Sequence, residues 1–320
     1  MKQDELNKFL KSLKKEYFLF APKVDGQNSV ISEVNDIKAI DWSGKMPKNS
    51  WKKIFLPARE NMFDLNKDFK GASGQHPMVA AVGMNIVDFK ALTLFDLVFS
   101  KDVYYNRRRK NTLTVGLSVN GPNDYKKYKV FSHNYEENIL EHIKFDIFLM
   151  KKRGGSYRVY SGSQKGKNIL NELKIKDYEH IEFAGAISEQ GPDKKMLELK
   201  KKMEKSKDRA IWGQLNDICI ACGKCSIVCP TCFCFDIEDS SDLNNNTRSR
   251  KWGNCFYNDF SKVAGGHKPL DTVSKKIFFW YYHKFVRTPH EYQIPGCVGC
   301  GRCSKVCPVG IKINEVLKKI

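Results

Sequence analysis

The first 218 residues contain no cysteine; all eleven cysteines of this 320-residue chain fall between Cys219 and Cys307. That distribution excludes a small secreted scaffold cross-linked throughout by disulfides. Long apolar runs are missing too. The richest stretches, 277–282 and 145–150, fall far short of the ~20 residues a membrane helix needs. The N-terminus lacks the apolar segment and small-residue cleavage site of a secretory leader. These absences lead to the expectation of a cytoplasmic protein with no membrane partner, in a reducing compartment where clustered thiols bind metal or do redox work. No G-x-G-x-x-G fingerprint occurs, and Gly162-Ser-Gln-Lys-Gly166-Lys167 only half resembles a phosphate loop and reads as a turn. None of the seven histidines forms a metal-type pair at i, i+4, and no nucleophile–base constellation is evident, so no catalytic residue is assigned.

What is present is an ordinary globular composition, 41% apolar and 12% aromatic, long enough for two domains. Residues 1 to about 75 open on a helical pattern (Leu6, Phe9, Leu10, Leu13) and continue into a stretch rich in Asp, Asn, Ser, Pro and Gly that reads as an irregular cap. Met78 to Ile86 reads as a buried strand. Asp88 is placed as the cap of a following helix, whose inner face holds Phe89, Leu92, Phe95 and Phe99. Further strands are expected over 112–119, 145–150 and 157–160. The fold class expected is an α+β or α/β N-terminal domain followed by a ferredoxin-like dicluster domain of helix and loop. The domain reading is a cysteine-free scaffold or docking domain over 1–187, a linker with a lysine-rich helix over 188–217, and a metal-binding domain over 218–320.

The cysteines carry the specific signal. Cys219, Cys222, Cys225 and Cys229 are spaced C-x2-C-x2-C-x3-C with Pro230 after them, and Cys297, Cys300, Cys303 and Cys307 repeat that spacing before Pro308. This run is the bacterial-ferredoxin signature for [4Fe–4S] clusters, in which the fourth cysteine ligates the other cluster. One cluster is therefore assigned to Cys219, Cys222, Cys225 and Cys307, the other to Cys297, Cys300, Cys303 and Cys229. Gly223 and Gly301 let backbone amides approach the sulfurs. A pair of zinc sites is the competing reading, since zinc also takes C-x2-C. Two complete copies with the trailing proline favour iron–sulfur.

Between the runs, Cys232, Cys234 and Cys255 are left over. One reading is a third metal or cluster with His267 as a fourth ligand. The other, preferred on composition because free cysteine is among the most buried residue types, is packing around the clusters.

The chain holds 55 basic and 36 acidic residues, a formal charge of +19. The basic runs are 107–110, 151–153, 194–207 and 248–251. An oxidised cluster with four thiolates carries about −2, so two bring +19 to about +15. In the 194–207 run the lysines are interleaved with Glu198 and Glu204, the pattern of a solvated helix face. Docking of an acidic redox partner or neighbouring subunit explains the balance better than nucleic acid does. A nucleic-acid-associated protein with structural clusters, and a self-contained iron–sulfur reductase, remain as alternatives.

Several segments resemble one family. They are the run from Cys219 to Phe235 (C-I-A-C-G-K-C-S-I-V-C-P-T-C-F-C-F), Arg250-Lys-Trp-Gly-Asn-Cys255, Val263-Ala-Gly-Gly-His267 and Cys297-Val-Gly-Cys-Gly-Arg-Cys303. More loosely, Leu56-Pro-Ala-Arg-Glu60, Val82-Gly-Met-Asn-Ile-Val-Asp88, 104–109 and 146–149 match as well. Together they resemble the dicluster 4Fe-4S electron-transfer subunits of anaerobic sulfite reductase and, under the name of beta subunit, of soluble NiFe (sulf)hydrogenases. The family also carries cysteines at the positions of Cys232, Cys234 and Cys255. Its members carry another just before the aspartate matched by Asp88, where this chain has Val87, and more across 119–131, where it has none. The resemblance implies an electron-transfer subunit of a multisubunit oxidoreductase. Its partners would be a flavin- and NAD(P)-binding reductase subunit on one side, with a catalytic siroheme or NiFe subunit on the other.

Overall fold

A computed structural model describes residues 1–64, 77–119, 138–189, 191–242 and 245–320. In chain order the elements are α1 (Gln3–Glu16), β1 (Phe18–Asp25), β2 (Asn28–Glu33), α2 (Lys52–Phe55), β3 (Arg59–Asp64), β4 (Val79–Met84), α3 (Ile86–Val98), α4 (Val103–Asn111) and β5 (Thr112–Ser118). Then come β6 (Ile147–Lys151), β7 (Tyr157–Ser161), α5 (Gln164–Glu172), β8 (Glu179–His180), α6 (Lys194–Glu204), α7 (Ile211–Ile218), α8 (Lys224–Val228), β9 (Phe235–Asp242) and β10 (Asn245–Trp252). The chain closes with α9 (Val273–Tyr282), a π turn (His283–Arg287), α10 (Thr288–Tyr292), α11 (Arg302–Val306) and α12 (Ile313–Leu317). They form two compact units, one of Met1–Trp51, His76–Pro192 and Val298–Cys300, the other of Lys52–Gln75, Asp193–Cys297 and Gly301–Ile320.

The first unit is built on a seven-stranded sheet ordered β2-β1-β4-β5-β6-β7-β8. Its centre, β1-β4-β5-β6, is parallel, and β2 and β7 are antiparallel additions. β5 is buried along its whole length, as a strand covered on both faces must be. One face holds Leu6, Phe9, Leu10 and Leu13 of α1 against Leu19, Val82, Val115 and Leu149. On α3, Phe89, Leu92, Phe95 and Phe99 are buried as the spacing predicts. The cap differs: Asn85 Oδ1 accepts from the Asp88 amide at 3.0 Å, and Asp88 sits one turn in, accepting from Asn85 Nδ2. Asn85 lies where the strand has ended and the amides are still free, which is the position a cap requires.

The expected irregular cap is also corrected. β1 and β2 form a hairpin that pairs Asp25 with Asn28 around Gly26, which takes φ 58°, and it is an integral edge of the sheet. Gly162 and Gly166 behave as the turn reading requires. Ser163 caps α5, and a Cβ on Gly166 would lie 2.0 Å from the Asp146 carbonyl oxygen, so the glycine serves close packing.

The second unit is not helix and loop alone. It carries a three-stranded antiparallel sheet ordered β3-β10-β9, made by a hairpin in the long spacer between the two cysteine runs. Across it, Arg250 meets Glu60 at 2.9 Å with both side chains buried, and Trp252 Nε1 donates to the Leu56 carbonyl at 3.0 Å. The resemblance segments at 56–60 and 250–255 are therefore two sides of one interaction. On the helical side, Trp212 of α7 packs against Phe278 and Tyr281 of α9, with ring centroids at 5.3 and 5.6 Å. Among the described residues no helix is long and apolar enough to cross a membrane.

Several basic residues singled out in the sequence are spent internally. Arg108 is buried, and Arg109 pairs with Asp96 at 3.2 Å. Arg248 pairs with Asp239, Lys251 with Glu238 and Arg250 with Glu60. Val87 is buried in α3, while the stretch 120–137 lies outside the described residues.

Candidate iron–sulfur site

The two cysteine runs fold as matching turns. Gly223 (φ 72°) and Gly301 (φ 73°) precede the five-residue helices α8 and α11, which pack on each other. Each helix ends on an extended cysteine, Cys229 (ψ 126°) or Cys307 (ψ 116°). Two residues before each glycine the backbone is again left-handed, at Gly299 (φ 69°) and at Ala221 (φ 50°). A left-handed alanine costs about 1–2 kcal/mol, so the first run bears a strain that the second avoids by using glycine. Gly223 is fixed from outside: Asn254 Nδ2 donates to its carbonyl at 2.8 Å and occupies the space a Cβ would need.

A cavity of about 60 Å³ is lined by Cys219, Cys222, Cys225, Cys303 and Cys307 and walled by Phe256, Ile277, Trp280 and Tyr281. All four cysteines assigned to the first cluster border it. Cys222 is exposed, and Ile220 beside it is 62% exposed. Burial pushes the Cys219 and Cys225 thiols up, because a thiolate without a counter-charge is disfavoured in an apolar site. Metal binding is the usual way to hold such thiols ionised. Soft sulfur donors around an apolar cavity fit an iron–sulfur cluster.

Cys229 lies in different surroundings. It is buried, and Lys284 Nζ, carried on the π turn, donates to its Sγ at 3.3 Å. The same ammonium donates to Thr231 Oγ1 at 3.0 Å and to the Gly296 carbonyl at 3.2 Å. The Cys232 thiol hydrogen-bonds to Cys229 and, together with Lys284, draws the Cys229 pKa well below its ordinary value. Burial opposes the charge on Lys284, but the Cys229 and Cys232 sulfurs outweigh it and push its pKa up. A π turn is a recurrent feature of functional sites. Here a Cβ on Gly296, the residue before Cys297, would meet the Lys284 carbonyl oxygen at 2.6 Å, so only glycine allows this approach.

Cys297 is buried and within electrostatic reach of Lys284. Cys303 lines the first cavity, and Cys300 is half-buried, in a segment grouped with the first unit. Cys255 is buried, with its thiol pushed up to about 12 by burial, and burial raises Cys234 as well. His267 is exposed in the loop after the 3-10 turn Ala264–Gly266 and is not brought to these thiols.

Sequence reasoning missed Lys52, Lys284 and Thr231. A signal existed for Lys284: Lys276, Trp280 and Lys284 recur every four residues on an otherwise apolar helix, so a charge had to lie on the buried face. Lys52, in Trp51-Lys-Lys-Ile, offered none.

Residues 218–311 match the family described as 4Fe-4S dicluster domain. Among curated proteins the chain is similar to sulfhydrogenase 2 subunit beta of Pyrococcus furiosus, 27% identical over 98% of this chain and 95% of that one. No solved structure matches it. The chain thus carries a 4Fe-4S dicluster domain and, nearly end to end, is similar to a sulfhydrogenase beta subunit.

Proposed function

We propose that the chain is the electron-relay subunit of a multisubunit oxidoreductase, with one [4Fe–4S] cluster on Cys219, Cys222, Cys225 and Cys307 and another on Cys297, Cys300, Cys303 and Cys229. The observation that carries this reading is the pair of matching cysteine turns, one of which borders an apolar cavity with four thiols of a single assigned set. When bound, each cluster would supply one-electron redox chemistry.

The chain's own residues tune and shield that chemistry. Phe256, Ile277, Trp280 and Tyr281 keep water from the inner side of the first site, while exposed Cys222 leaves its outer side open to a partner. At Cys229, the Lys284 ammonium favours added negative charge. The likeness to a sulfhydrogenase subunit supports an assembly in which a flavin- and NAD(P)-binding subunit stands on one side of the relay. On the other side stands a catalytic subunit carrying NiFe or siroheme, in a cytoplasmic complex.

The test is anaerobic purification of the native assembly, followed by spectroscopy of the reduced protein. Reducible [4Fe–4S] signals are expected, together with co-purifying flavoprotein and metal-bearing catalytic subunits. Less than one iron per chain with bound zinc would overturn the reading.

A further inference from the structure

Helix α9 turns one face to the cavity of the first site. Ile277, Trp280 and Tyr281 line it at the i, i+3 and i+4 positions of a single helix face. Two of these three side chains carry a polar hydrogen, and among the described residues neither hydrogen has a partner. Trp280 Nε1 is buried and makes no hydrogen bond. Of the residues with such an orphaned buried atom, Trp280 is the one that lines this cavity. Tyr281 is 3% exposed; its ring meets Trp212, Trp280 and Phe285, and its hydroxyl is left without an acceptor. Burial pushes the Tyr281 phenol well above its ordinary value, so the hydroxyl keeps its proton and can donate it.

Buried indole N–H and phenol O–H groups in folded proteins nearly always find an acceptor, because leaving one unmade costs its full desolvation. The walls of this cavity supply little else. Phe256 and Ile277 are hydrocarbon, and the cysteines that complete the lining are the ligands assigned to the first cluster. The acceptors that such a cluster brings are sulfides and thiolates bearing negative charge, which make strong, charge-assisted hydrogen bonds.

The two sites also differ in what answers that charge. At Cys229 it is met by the Lys284 ammonium at 3.3 Å. Lys52 adds to it, donating to the Ser226 carbonyl at 3.3 Å within electrostatic reach of Cys232 and Cys229. Among the residues that line the first cavity the sole cation is Lys224, which is exposed to solvent. An electron added there gains little from a fixed ammonium, and hydrogen bonds to sulfur are the remaining lever on its potential.

We propose that Tyr281 and Trp280 donate hydrogen bonds to sulfur atoms of the first cluster and thereby raise its reduction potential. The inference rests on the relay reading, because the acceptor is the cluster on Cys219, Cys222, Cys225 and Cys307. Each donor stabilises the reduced cluster more than the oxidised one, since reduction adds negative charge to the sulfurs.

The experiment compares Tyr281→Phe and Trp280→Phe with the wild type. Each variant removes a donor and keeps an aromatic ring in the wall. The full chains are purified anaerobically, their iron is counted, and the clusters are titrated by potential and read by low-temperature spectroscopy. The first cluster's signal is the one that Cys222→Ala abolishes. Both variants are expected to keep about eight irons. In each, the ratio of reduced to oxidised first cluster at a fixed potential should fall about tenfold, which for one electron is about 59 mV toward lower potential. The second cluster's potential should stay where it is in Tyr281→Phe. If neither variant moves the first potential, or if Tyr281→Phe moves both clusters equally, the inference is overturned and the relay stands. Loss of the first cluster's iron in both variants overturns it as well, since the residues would then only hold the wall together. A wild type without reducible [4Fe–4S] signals overturns the relay reading itself.

Discussion

At Cys222 the first cysteine run reaches the surface beside an exposed isoleucine, whereas Cys229, seven residues on, is buried against an ammonium group. Both belong to the first run, whose left-handed glycine and short helix recur in the second, but the assigned ligand sets put them in different sites. The difference therefore lies in what the rest of the chain brings to the sulfurs. At the exposed end, apolar side chains wall a cavity and solvent reaches the outer thiol. At the buried end, Lys284 and Lys52 replace solvent as the source of positive charge. One chain thus offers two electrostatic settings for the same ligand chemistry, one suited to meeting a partner and the other to holding an electron inside.

The comparison breaks most visibly if the exposed site is destroyed. Cys222→Ala is expected to remove one cluster, about four irons, and its reduced-state signal, while the signal from the Cys229 side survives. Loss of both signals would mean that the two runs do not hold separate clusters. Phe89→Ala empties a fully buried position beside the seven-stranded sheet of the first unit and is expected to cost about 3–5 kcal/mol of its stability. Chemical denaturation measures that cost, and the iron count should not change.

Lys284→Met acts on the buried end alone. Removing a cation makes an added electron less favourable, so the potential there should fall. An interaction of about 2–3 kcal/mol at an effective dielectric near 20 corresponds to on the order of 100 mV for one electron. The Cys222-side potential should stay where it is, and a redox titration read by spectroscopy separates the two. The smallest effect is expected at Ala221. Ala221→Gly relieves a left-handed alanine and should raise stability by at most about 1 kcal/mol, with no change in iron content.

Sequence and structure agree where a pattern is local. The cysteine spacing predicts two like turns, and the apolar spacing of Phe89, Leu92, Phe95 and Phe99 predicts the buried face of α3; both are seen. The β1–β2 hairpin was legible in Asp25-Gly26 but lay in a polar stretch that reads as irregular. β9 and β10 are polar and alternate weakly, so their hairpin rests on pairing with β3 and on the buried Arg250–Glu60 contact, which are long-range facts. Lys52 and Lys284 are the clearest case. Each is an unremarkable lysine in sequence, and only the folding of residues far apart in the chain sets both beside the same thiols. Charges gathered from distant segments leave no spacing to read.

The most direct test of the central claim is a redox titration of the anaerobically purified full chain, followed by low-temperature spectroscopy of the reduced clusters. The account predicts one-electron [4Fe–4S] signals titrating separately, with only the signal from the buried end moving, and moving to lower potential, in Lys284→Met. A protein without any reducible iron–sulfur signal, or one in which Lys284→Met moves neither potential, would contradict it.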